Sequence, residues 1–303
     1  MRHHRWLGAL AVAAIALAGC SSGKDSKHKA DGGGSCPHGK IRFGIEPYED
    51  PAKLTPAYQV LASALQTKLN CPVDLQVVDD YSAEVLAMRN GKLDLAEFGP
   101  LGFVFASQQA GAQPIVSFAD GSGKLTTYTA GIWVPKDSSI QSINDLGGKS
   151  LALSEPGSTS GDALPRYALQ KAGIAESKVK INYAGGHPEA MLALLHGKID
   201  AAEINSQTLA SAQEAGTFDP SKYRKVWTSD PIPNDPITMS DKADPAFRDA
   251  VQKALLQLAP ADVAKVGAFL DVTPPGPLIT VTKSTYQPLF DLASALHLTE
   301  KDV

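Results

Sequence analysis

Residues 83–97 read AEVLAMRNGKLDLAE, and residues 189–203 follow the same pattern without a gap as EAMLALLHGKIDAAE. The matched residues are Leu86, Gly91, Lys92, Asp94 and Glu97 in the first copy and Leu192, Gly197, Lys198, Asp200 and Glu203 in the second. Each copy predicts an amphipathic helix that ends at a glycine, then a polar turn and a buried strand. One such unit in each half of the chain favours two similar lobes, with convergence on a common helix-to-strand turn as the alternative. The charged residues occupy turn positions, so neither copy is interpreted as a metal or catalytic motif.

Strand-like and helix-like runs alternate on both sides of each copy. The strand-like runs are 40–45, 73–78, 93–98, 126–134 and 150–153, and the helix-like runs are 56–69, 82–90, 163–172 and 245–258. Thr55 and Pro56 are the expected cap and first residue of the first helix. The alternation predicts an α/β fold with mostly parallel sheets that helices cover on both faces.

Two segments are candidates for strands that cross between the lobes. These are the long run 126–134 and the segment 234–240, which follows a proline-rich turn. Crossing at these two points would form the hinge of a clamshell. The predicted first lobe comprises residues 36–130 and 238–303, and the predicted second lobe comprises residues 131–237.

The N-terminus has the features of an export signal. Arg2 and Arg5 precede an apolar stretch, residues 6–17, that is too short to span a bilayer, and the sequence LAGC ends at Cys20. This pattern resembles a bacterial lipoprotein signal, in which residues 1–19 are removed and Cys20 receives the lipid. An ordinary secretory signal is the alternative, and it would leave Cys20 as a free thiol. Residues 20–35 are small, polar and glycine-rich, so we expect a flexible tether on an extracytoplasmic protein that is anchored to the bacterial cell membrane.

The remaining two cysteines, Cys36 and Cys71, form the only pair available in an oxidising compartment. Each precedes a strand-like run, and neighbouring parallel strands would bring their starting ends together. We therefore predict a disulfide between them. Two free buried thiols are the alternative.

Composition limits the classes of function. The 303-residue chain is 43% hydrophobic and has a formal net charge of −4, so it has a large core and no general attraction for nucleic acid. We expect no metal and no cofactor, because no cluster has metal-ligand spacing and no G-x-G-x-x-G motif opens a helix. A hydrolytic triad of Ser158 with His187 or His196 and Asp235 is disfavoured, because the G-x-S-x-G elbow is missing. The sequence thus predicts a binding protein without catalytic residues.

The loop 157–161, with the sequence GSTSG, has the composition of an oxyanion site. It lies between the strand-like run 150–153 and the helix-like run 163–172. Its glycines permit a tight turn, its three hydroxyls can donate, and the helix start offers free N–H groups. A serine-rich N-cap with glycine hinges is the alternative interpretation. The turns 98–100 and 185–187 also follow strand-like runs, so all three loops could face one cleft.

The order of these motifs resembles that of the phosphonate/phosphite-type periplasmic substrate-binding proteins of ABC transporters, over roughly residues 42–277. The motifs that carry the resemblance are FGI at 43–45, DY at 80–81, FGPL at 98–101, GSTSG at 157–161, GH at 186–187 and IPNDPI at 232–237. The resemblance implies a two-lobed receptor of type II that closes on a small phosphorus oxyanion. It also implies a monomer that passes this ligand to the permease subunits in the membrane.

The resemblance assigns roles to individual residues. Ser158, Thr159 and Ser160 would donate to phosphonyl oxygens, and His187 would add a donor and, when protonated, a positive charge. Asp235 would accept from a P–OH or a ligand N–H and so disfavour a fully deprotonated anion. Tyr81 would close the site and Phe98 would provide an apolar wall, with Tyr48 and Gln207 as further candidates. Without the resemblance, each is equally compatible with an ordinary packing, surface or turn position.

Two departures from the family pattern bear on the ligand. Phe98 lacks the hydroxyl of the tyrosine that some relatives have there. Gln207 stands where binders of aminoalkylphosphonates have a carboxylate, and a neutral amide would not balance a ligand ammonium. The expected ligand is therefore phosphite, a phosphonate such as methylphosphonate, or a small organophosphate. A receptor for a sulfonate or a thiamine-precursor-like compound is the alternative.

Overall fold

A computed structural model describes residues 36–299. The predicted signal peptide, the lipidation site Cys20 and the predicted tether lie outside the described residues, and so do residues 300–303. Within residues 36–299, no helix combines the length and the apolar character needed to cross a membrane.

Strands and helices alternate along most of the described chain. The strands are β1 (Ile41–Ile45), β2 (Val73–Val77), β3 (Leu95–Glu97), β4 (Ala112–Asp120), β5 (Thr127–Tyr128), β6 (Gly131–Pro135), β7 (Ser150–Leu153), β8 (Lys180–Tyr183), β9 (Ala201–Glu203), β10 (Tyr223–Thr228), β11 (Ile232–Pro233), β12 (Pro236–Ser240) and β13 (Pro275–Thr280). The helices are α1 (Pro51–Leu69), α2 (Tyr81–Arg89), α3 (Pro100–Ala110), α4 (Leu164–Lys171), α5 (His187–Leu195), α6 (Ser206–Glu214), α7 (Pro245–Leu256), α8 (Pro260–Phe269) and α9 (Gln287–Ala295).

Two sheets define two lobes. The first lobe has the strand order β13-β4-β12-β3-β1-β2, and the second has the order β10-β6-β9-β7-β8. The prediction of mostly parallel sheets was wrong. In the first sheet β1 pairs parallel with β2 and β3, but β12 runs antiparallel to β3 and β4, and β13 runs antiparallel to β4. The second sheet is also mixed, since β7 pairs parallel with β8 and β9, whereas β6 runs antiparallel to β9 and β10. A chain that crosses to another lobe and returns enters the sheet in the opposite direction.

The chain passes between the lobes at two adjacent points. β5 and β11 pair antiparallel there, with Tyr128 opposite Ile232, and they form a separate two-stranded ribbon. The predicted single strand 126–134 is therefore two strands, β5 in the ribbon and β6 in the second sheet. The predicted boundary after residue 237 falls inside β12, because this strand of the first sheet already begins at Pro236.

Helices cover both faces of the sheets, as predicted. On one face of the first sheet Ile41, Phe43 and Ile45 pack in a cluster with apolar residues of α1, and a second cluster lies on the opposite face. The α1 helix begins earlier than predicted, because Asp50 is its N-cap and its side chain accepts from the Ala52 N–H at 2.9 Å. Asp50 as N-cap, followed by Pro51 at the first helical position, is a stronger signal for a helix start than Thr55 followed by Pro56.

The repeated sequence unit adopts the same turn in both lobes. Gly91 and Gly197 follow α2 and α5 with φ angles of 65° and 64°, a region that glycine occupies without strain. The Asp94 carboxylate then accepts from the Arg42 N–H at 2.9 Å. In the second lobe the equivalent Asp200 accepts from the Ser150 N–H at 2.8 Å. Each aspartate thus fixes the start of the neighbouring parallel strand, β1 or β7.

A disulfide joins Cys36 to Cys71, with their Cα atoms 5.5 Å apart. The bond connects the segment before β1 to the turn between α1 and β2. Strands β1 and β2 pair in parallel, beginning with Ile41 opposite Val73, so their starting ends lie side by side as predicted.

Candidate functional site

One cavity lies between the two lobes and brings together all but one of the predicted ligand-binding residues. Its lining residues are Glu46, Tyr48, Glu49, Tyr81, Gly99, Tyr128, Ser158, Thr159, Ser160, His187, Asn205, Gln207, Thr208, Ser211, Asp235 and Phe269. The cavity measures about 20 Å³, which is far below the several hundred Å³ of a site for a drug-sized ligand. Its size suits a small compact molecule.

The loop 157–161 forms the second-lobe wall of the cavity. Ser158 caps the helical turn that leads into α4, and its Oγ accepts from the Gly161 N–H at 3.1 Å. A Cβ at position 161 would overlap Ser154 Oγ and lie 2.8 Å from His187 Cε1, so only glycine fits there. The close packing at Gly161 keeps Ser158, Thr159 and Ser160 at the cavity wall. All three residues are buried.

His187 is the first residue of α5, and its side chain extends to the hydroxyl loop 157–161. Its Nδ1 lies 2.9 Å from Glu203 Oε2, and its Nε2 lies 3.2 Å from Ser158 Oγ. Burial by itself would lower the pKa of His187, but the Glu203 carboxylate outweighs burial and raises this pKa above its usual value. The imidazolium form donates from both nitrogens. His187 therefore brings a positive charge to the cavity wall.

The hydroxyl groups of the loop are arranged to donate into the cavity. Ser158 Oγ accepts from the Gly161 N–H and from the protonated His187 ring, which engages both of its lone pairs. Ser160 Oγ likewise accepts from Asn205 Nδ2 at 3.1 Å, and Thr159 Oγ1 accepts from the Leu101 N–H at 2.9 Å. Tyr81 also hydrogen-bonds Ser158, and Tyr128 hydrogen-bonds Thr159 and Ser160, so the hydroxyls and the two phenols together line the cavity with groups able to donate to a ligand. This wall therefore suits an oxyanion.

Ser158, His187 and Glu203 follow one another in the order of a nucleophile, base and acid, but their electrostatics oppose catalysis. A general base must be neutral to remove the proton of the serine hydroxyl. The Glu203 carboxylate raises the pKa of His187 and so favours the protonated ring, which donates to Ser158. This disfavours activation of Ser158 as a nucleophile.

Carboxyl groups form the first-lobe wall. Asp235 immediately precedes β12, and Glu97 ends β3, with Ile237 as the cross-strand partner of Glu97. Burial raises the pKa of Asp235 to about 7, while neighbouring Glu97 and the charge on His187 limit the rise. The pKa of Glu97 is raised well above its usual range by burial and by the charge on Asp235. This wall therefore retains a proton close to neutral pH.

Three further predicted residues line the cavity. Tyr81 begins α2 from the first lobe, and Tyr48 places its hydroxyl 3.0 Å from the hydroxyl of buried Tyr58. Gln207 Nε2 donates to Asn234 Oδ1 at 2.7 Å, so its amide is already engaged within the protein.

Phe98 lies elsewhere than predicted. Its side chain is fully buried in the cluster that also contains Leu101 and Phe103, and it is not among the residues that line the cavity. Alternate residues of a strand face opposite sides of the sheet, and Phe98 continues the side of Ala96 rather than that of Glu97. The adjacent Gly99 lines the cavity in its place.

Several cavity residues escaped prediction from the sequence, notably Glu46, Tyr128 and Asn205, and so did Glu203, which contacts His187 without lining the cavity. Glu97 and Glu203 end the two copies of the repeated unit, and both copies end in a strand. Because ligand sites of α/β sheets lie beyond the carboxyl ends of strands, this matched pair was a usable signal. Glu46 follows β1 in an acid-rich loop that has the composition of a solvated turn.

The lobes also bond to each other beside the cavity. The Leu101 N–H of α3 donates to Thr159, and the Tyr81 N–H of α2 donates to Glu155 Oε1 at 3.0 Å. Both donors belong to the first turn of a helix, where N–H groups lack partners within the helix. These two contacts join the lobes directly.

Residues 43–286 match the family described as the ABC transporter phosphonate periplasmic substrate-binding protein. The phosphate-import protein PhnD of Mycolicibacterium smegmatis is 27% identical over 267 residues, which cover 84% of this chain and 82% of that relative. The phosphonates-binding periplasmic protein of Escherichia coli is 29% identical over 218 residues, which cover 70% of this chain and 64% of that relative.

Solved structures share the fold. PhnD1 of Prochlorococcus marinus in complex with methylphosphonate matches with a TM-score of 0.75 and 20% identity, covering 86% of this chain and 99% of that chain. A binding-protein component of the Pseudomonas aeruginosa phosphonate transporter matches with a TM-score of 0.73 and 21% identity, covering 83% of this chain and 84% of that chain. The predicted two-lobed α/β fold of the periplasmic binding proteins is confirmed.

Proposed function

We propose, from the premise that this chain belongs to the phosphonate periplasmic substrate-binding proteins of ABC transporters, that it binds a small phosphorus oxyanion between its lobes and delivers it to a permease. As a member of this family it is an extracytoplasmic binding protein and not an enzyme. We further propose that it acts as a monomer, anchored to the cell membrane by a lipid on Cys20.

The observation that carries the proposal is the unlike chemistry of the two cavity walls. The second-lobe wall offers hydroxyl hydrogens and the charged His187, which suit anionic oxygens. The first-lobe wall offers the carboxyl of Asp235, which suits an oxygen that bears a proton. Phosphorus oxyanions at neutral pH present both kinds of oxygen on one compact tetrahedron.

The same wall disfavours the alternative ligands. A sulfonate has no proton at neutral pH and would turn bare oxygens toward Asp235, a contact that costs free energy when the carboxylate is ionised. A thiamine precursor is much larger than these oxyanions and would need a wider cavity than the compact one between the lobes. The two relatives are named for different ligands, phosphate in one and phosphonates in the other, and both ligands are phosphorus oxyanions.

Calorimetric titration of the chain without residues 1–20 tests the proposal. Phosphate, phosphite, methylphosphonate and ethanesulfonate are the ligands, and we expect one or more phosphorus oxyanions to bind and ethanesulfonate to fail. Ser158→Ala and Thr159→Ala should each weaken binding by about 1–3 kcal/mol, since each removes a charge-assisted donor. Ser139→Ala, at an exposed position of the second lobe, is the matched control. Binding of ethanesulfonate alone, or full affinity in both loop variants, would overturn the proposal.

The lipid anchor has its own test. The full-length protein should fractionate with membranes in its native cell type, and Cys20→Ala should release it or block its maturation. A Cys20→Ala protein that remains membrane-bound would contradict the anchor without affecting ligand binding.

A further inference from the structure

Glu46 is an unusual component of the first-lobe wall. It follows β1, lines the cavity and is only 1% exposed. Its Oε2 accepts from the Gly99 N–H at 2.7 Å, but within residues 36–299 its Oε1 has no hydrogen-bond partner. A buried polar atom without a partner costs roughly 1–3 kcal/mol, so its place on a ligand cavity calls for a ligand partner.

The local sequence makes room for this carboxyl. A Cβ at position 99 would lie 2.7 Å from Glu46 Oε2, and a Cβ at position 102 would overlap Glu46 Oε1. Glycine at both positions of the first turn of α3 therefore permits Glu46 to occupy this space. The carboxyl is accommodated by its neighbours rather than displaced to solvent.

Within residues 36–299, the charged groups that act on Glu46 are carboxyls. Burial, followed by the charges of Glu84, Asp235 and Glu155, raises the pKa of Glu46 well above its usual range. Tyr81 also lies nearby, and His187 is engaged by Glu203 across the cavity. Glu46 requires a polar partner in either protonation state, because an ionised carboxylate accepts and a neutral acid both donates and accepts.

A tetrahedral ligand has four substituents to distribute over these walls. In the proposed binding mode, the hydroxyl loop and His187 would take oxygens on the second-lobe side, and Asp235 would take a further oxygen. The remaining substituent would then face Glu46, the other buried carboxyl that lines the cavity. It is a methyl group in methylphosphonate, a hydrogen in phosphite and an oxygen in phosphate.

We propose that Glu46 is a specificity-determining residue that reads the fourth substituent at phosphorus and selects oxygen, so that the ligand is phosphate. This inference rests on the proposed function and names the member of the ligand class. A methyl group or P–H would leave Glu46 Oε1 without a partner, and sites built for a hydrogen bond discriminate strongly against analogues that lack it. Phosphate should bind at least about tenfold more tightly than methylphosphonate and phosphite.

The test compares dissociation constants of phosphate, methylphosphonate, phosphite and 2-aminoethylphosphonate for four proteins: the unmodified chain, Glu46→Leu, Glu46→Gln and Glu84→Leu. Glu84 is the matched control, because it is equally buried and its carboxyl oxygens also have no partner in the described chain, but it does not line the cavity. Glu46→Leu should reduce the preference for phosphate over methylphosphonate at least about tenfold. Glu46→Gln should retain much of it, and Glu84→Leu, which removes a neighbouring charge but no cavity contact, should change it far less than Glu46→Leu does.

Every other outcome contradicts either this inference alone or the proposed function as well. No binding of any phosphorus oxyanion by the unmodified chain would overturn the proposed function and this inference together. Equal or tighter binding of methylphosphonate or phosphite would overturn the inference and leave the proposed function intact, and so would tightest binding of 2-aminoethylphosphonate, which would assign an ammonium to Glu46. A phosphate preference that survives in Glu46→Leu would remove Glu46 from the selection. If Glu46→Leu does not fold, the ligand order of the unmodified chain and the Glu46→Gln ratio still decide.

Discussion

At the residue scale, the proton held by Asp235 predicts how binding depends on pH. In a complex with a phosphorus oxyanion, one proton lies between Asp235 and a ligand oxygen. Above about pH 7 both the free carboxyl and the dianion of methylphosphonate or phosphite lack this proton, so binding of these two ligands requires proton uptake, whereas phosphate keeps a P–OH that can supply it. Affinity for methylphosphonate and phosphite should therefore fall above pH 7, by up to about tenfold per pH unit, and affinity for phosphate should fall much less.

Calorimetry from pH 6 to pH 9 measures this dependence, and buffers of different ionisation enthalpy count the protons taken up. Asp235→Asn should show a weaker dependence, because an amide does not titrate. Affinity for methylphosphonate and phosphite that stays constant across this range, or that rises with pH, would contradict the role of Asp235.

The sequence predicted the positions of the site better than their chemistry. The hydroxyl loop, His187, Tyr81 and Asp235 were identified, and they line one cavity, while their roles in binding remain predictions. Glu46 was missed because an acid-rich loop gives no sign that one of its carboxyls is buried. Phe98 was placed on the cavity by the family resemblance of the turn 98–101, which does not record the side of the sheet that this residue faces.

At the element scale, the first turn of α3 predicts an unusual response to Gly102→Ala. Alanine normally stabilises a helix relative to glycine by about 1 kcal/mol. Here its Cβ would overlap Glu46 Oε1, and overpacking of this kind costs roughly 1–3 kcal/mol. We expect Gly102→Ala to lower the free energy of unfolding and to weaken ligand binding.

A double-mutant cycle checks the cause. In the Glu46→Ala background, Gly102→Ala should lose most of its cost, whereas Gln108→Ala on the exposed side of the same helix should be neutral in both backgrounds. Strictly additive effects of the two substitutions would show that Gly102 acts independently of Glu46.

The disulfide predicts a second element-scale effect. It closes a loop of 35 residues that contains β1 and α1. In the chain-entropy model such a loop contributes about 3–4 kcal/mol to stability. Urea unfolding of the reduced protein should show this loss. A double variant with Cys36→Ser and Cys71→Ser should match it and should not respond to reductant, while equal stability of oxidised and reduced protein would contradict the prediction.

Element types were more predictable than strand direction. Periodicity and glycine C-caps located most helices and strands of the two repeated units, because these signals are local. The mixed sheets follow from the route of the chain between lobes, which no local pattern records. The start of α1 was misplaced because two Pro residues, Pro51 and Pro56, each follow a residue able to cap a helix.

At the scale of the whole molecule, buried carboxyls predict an inverted dependence of stability on pH. The pKa values of Glu46, Glu84, Glu97 and Asp235 are all raised in the folded protein, mainly by burial. The folded state thus binds more protons than the unfolded state between about pH 4 and pH 7. Stability is greatest below this window and is lost as the pH rises through it.

Thermal unfolding of the ligand-free protein should therefore show a higher midpoint at pH 5 than at pH 8. Exposed aspartates with lowered pKa values, such as Asp145 and Asp219, act below pH 4 and do not alter this comparison. Glu84→Gln should flatten the dependence. A midpoint that increases from pH 5 to pH 8 would contradict the assignment.

Two of the hydrogen bonds that join the lobes, from Tyr81 to Glu155 and from Leu101 to Thr159, run from protein to protein. They favour the closed arrangement in the empty and the loaded receptor alike. In the proposed importer, a permease that responds to the closed shape would hydrolyse ATP on contact with closed but empty receptors. The strength of these two bonds would then set the rate at which the transporter hydrolyses ATP without moving any ligand, a loss to the cell whenever the nutrient is scarce.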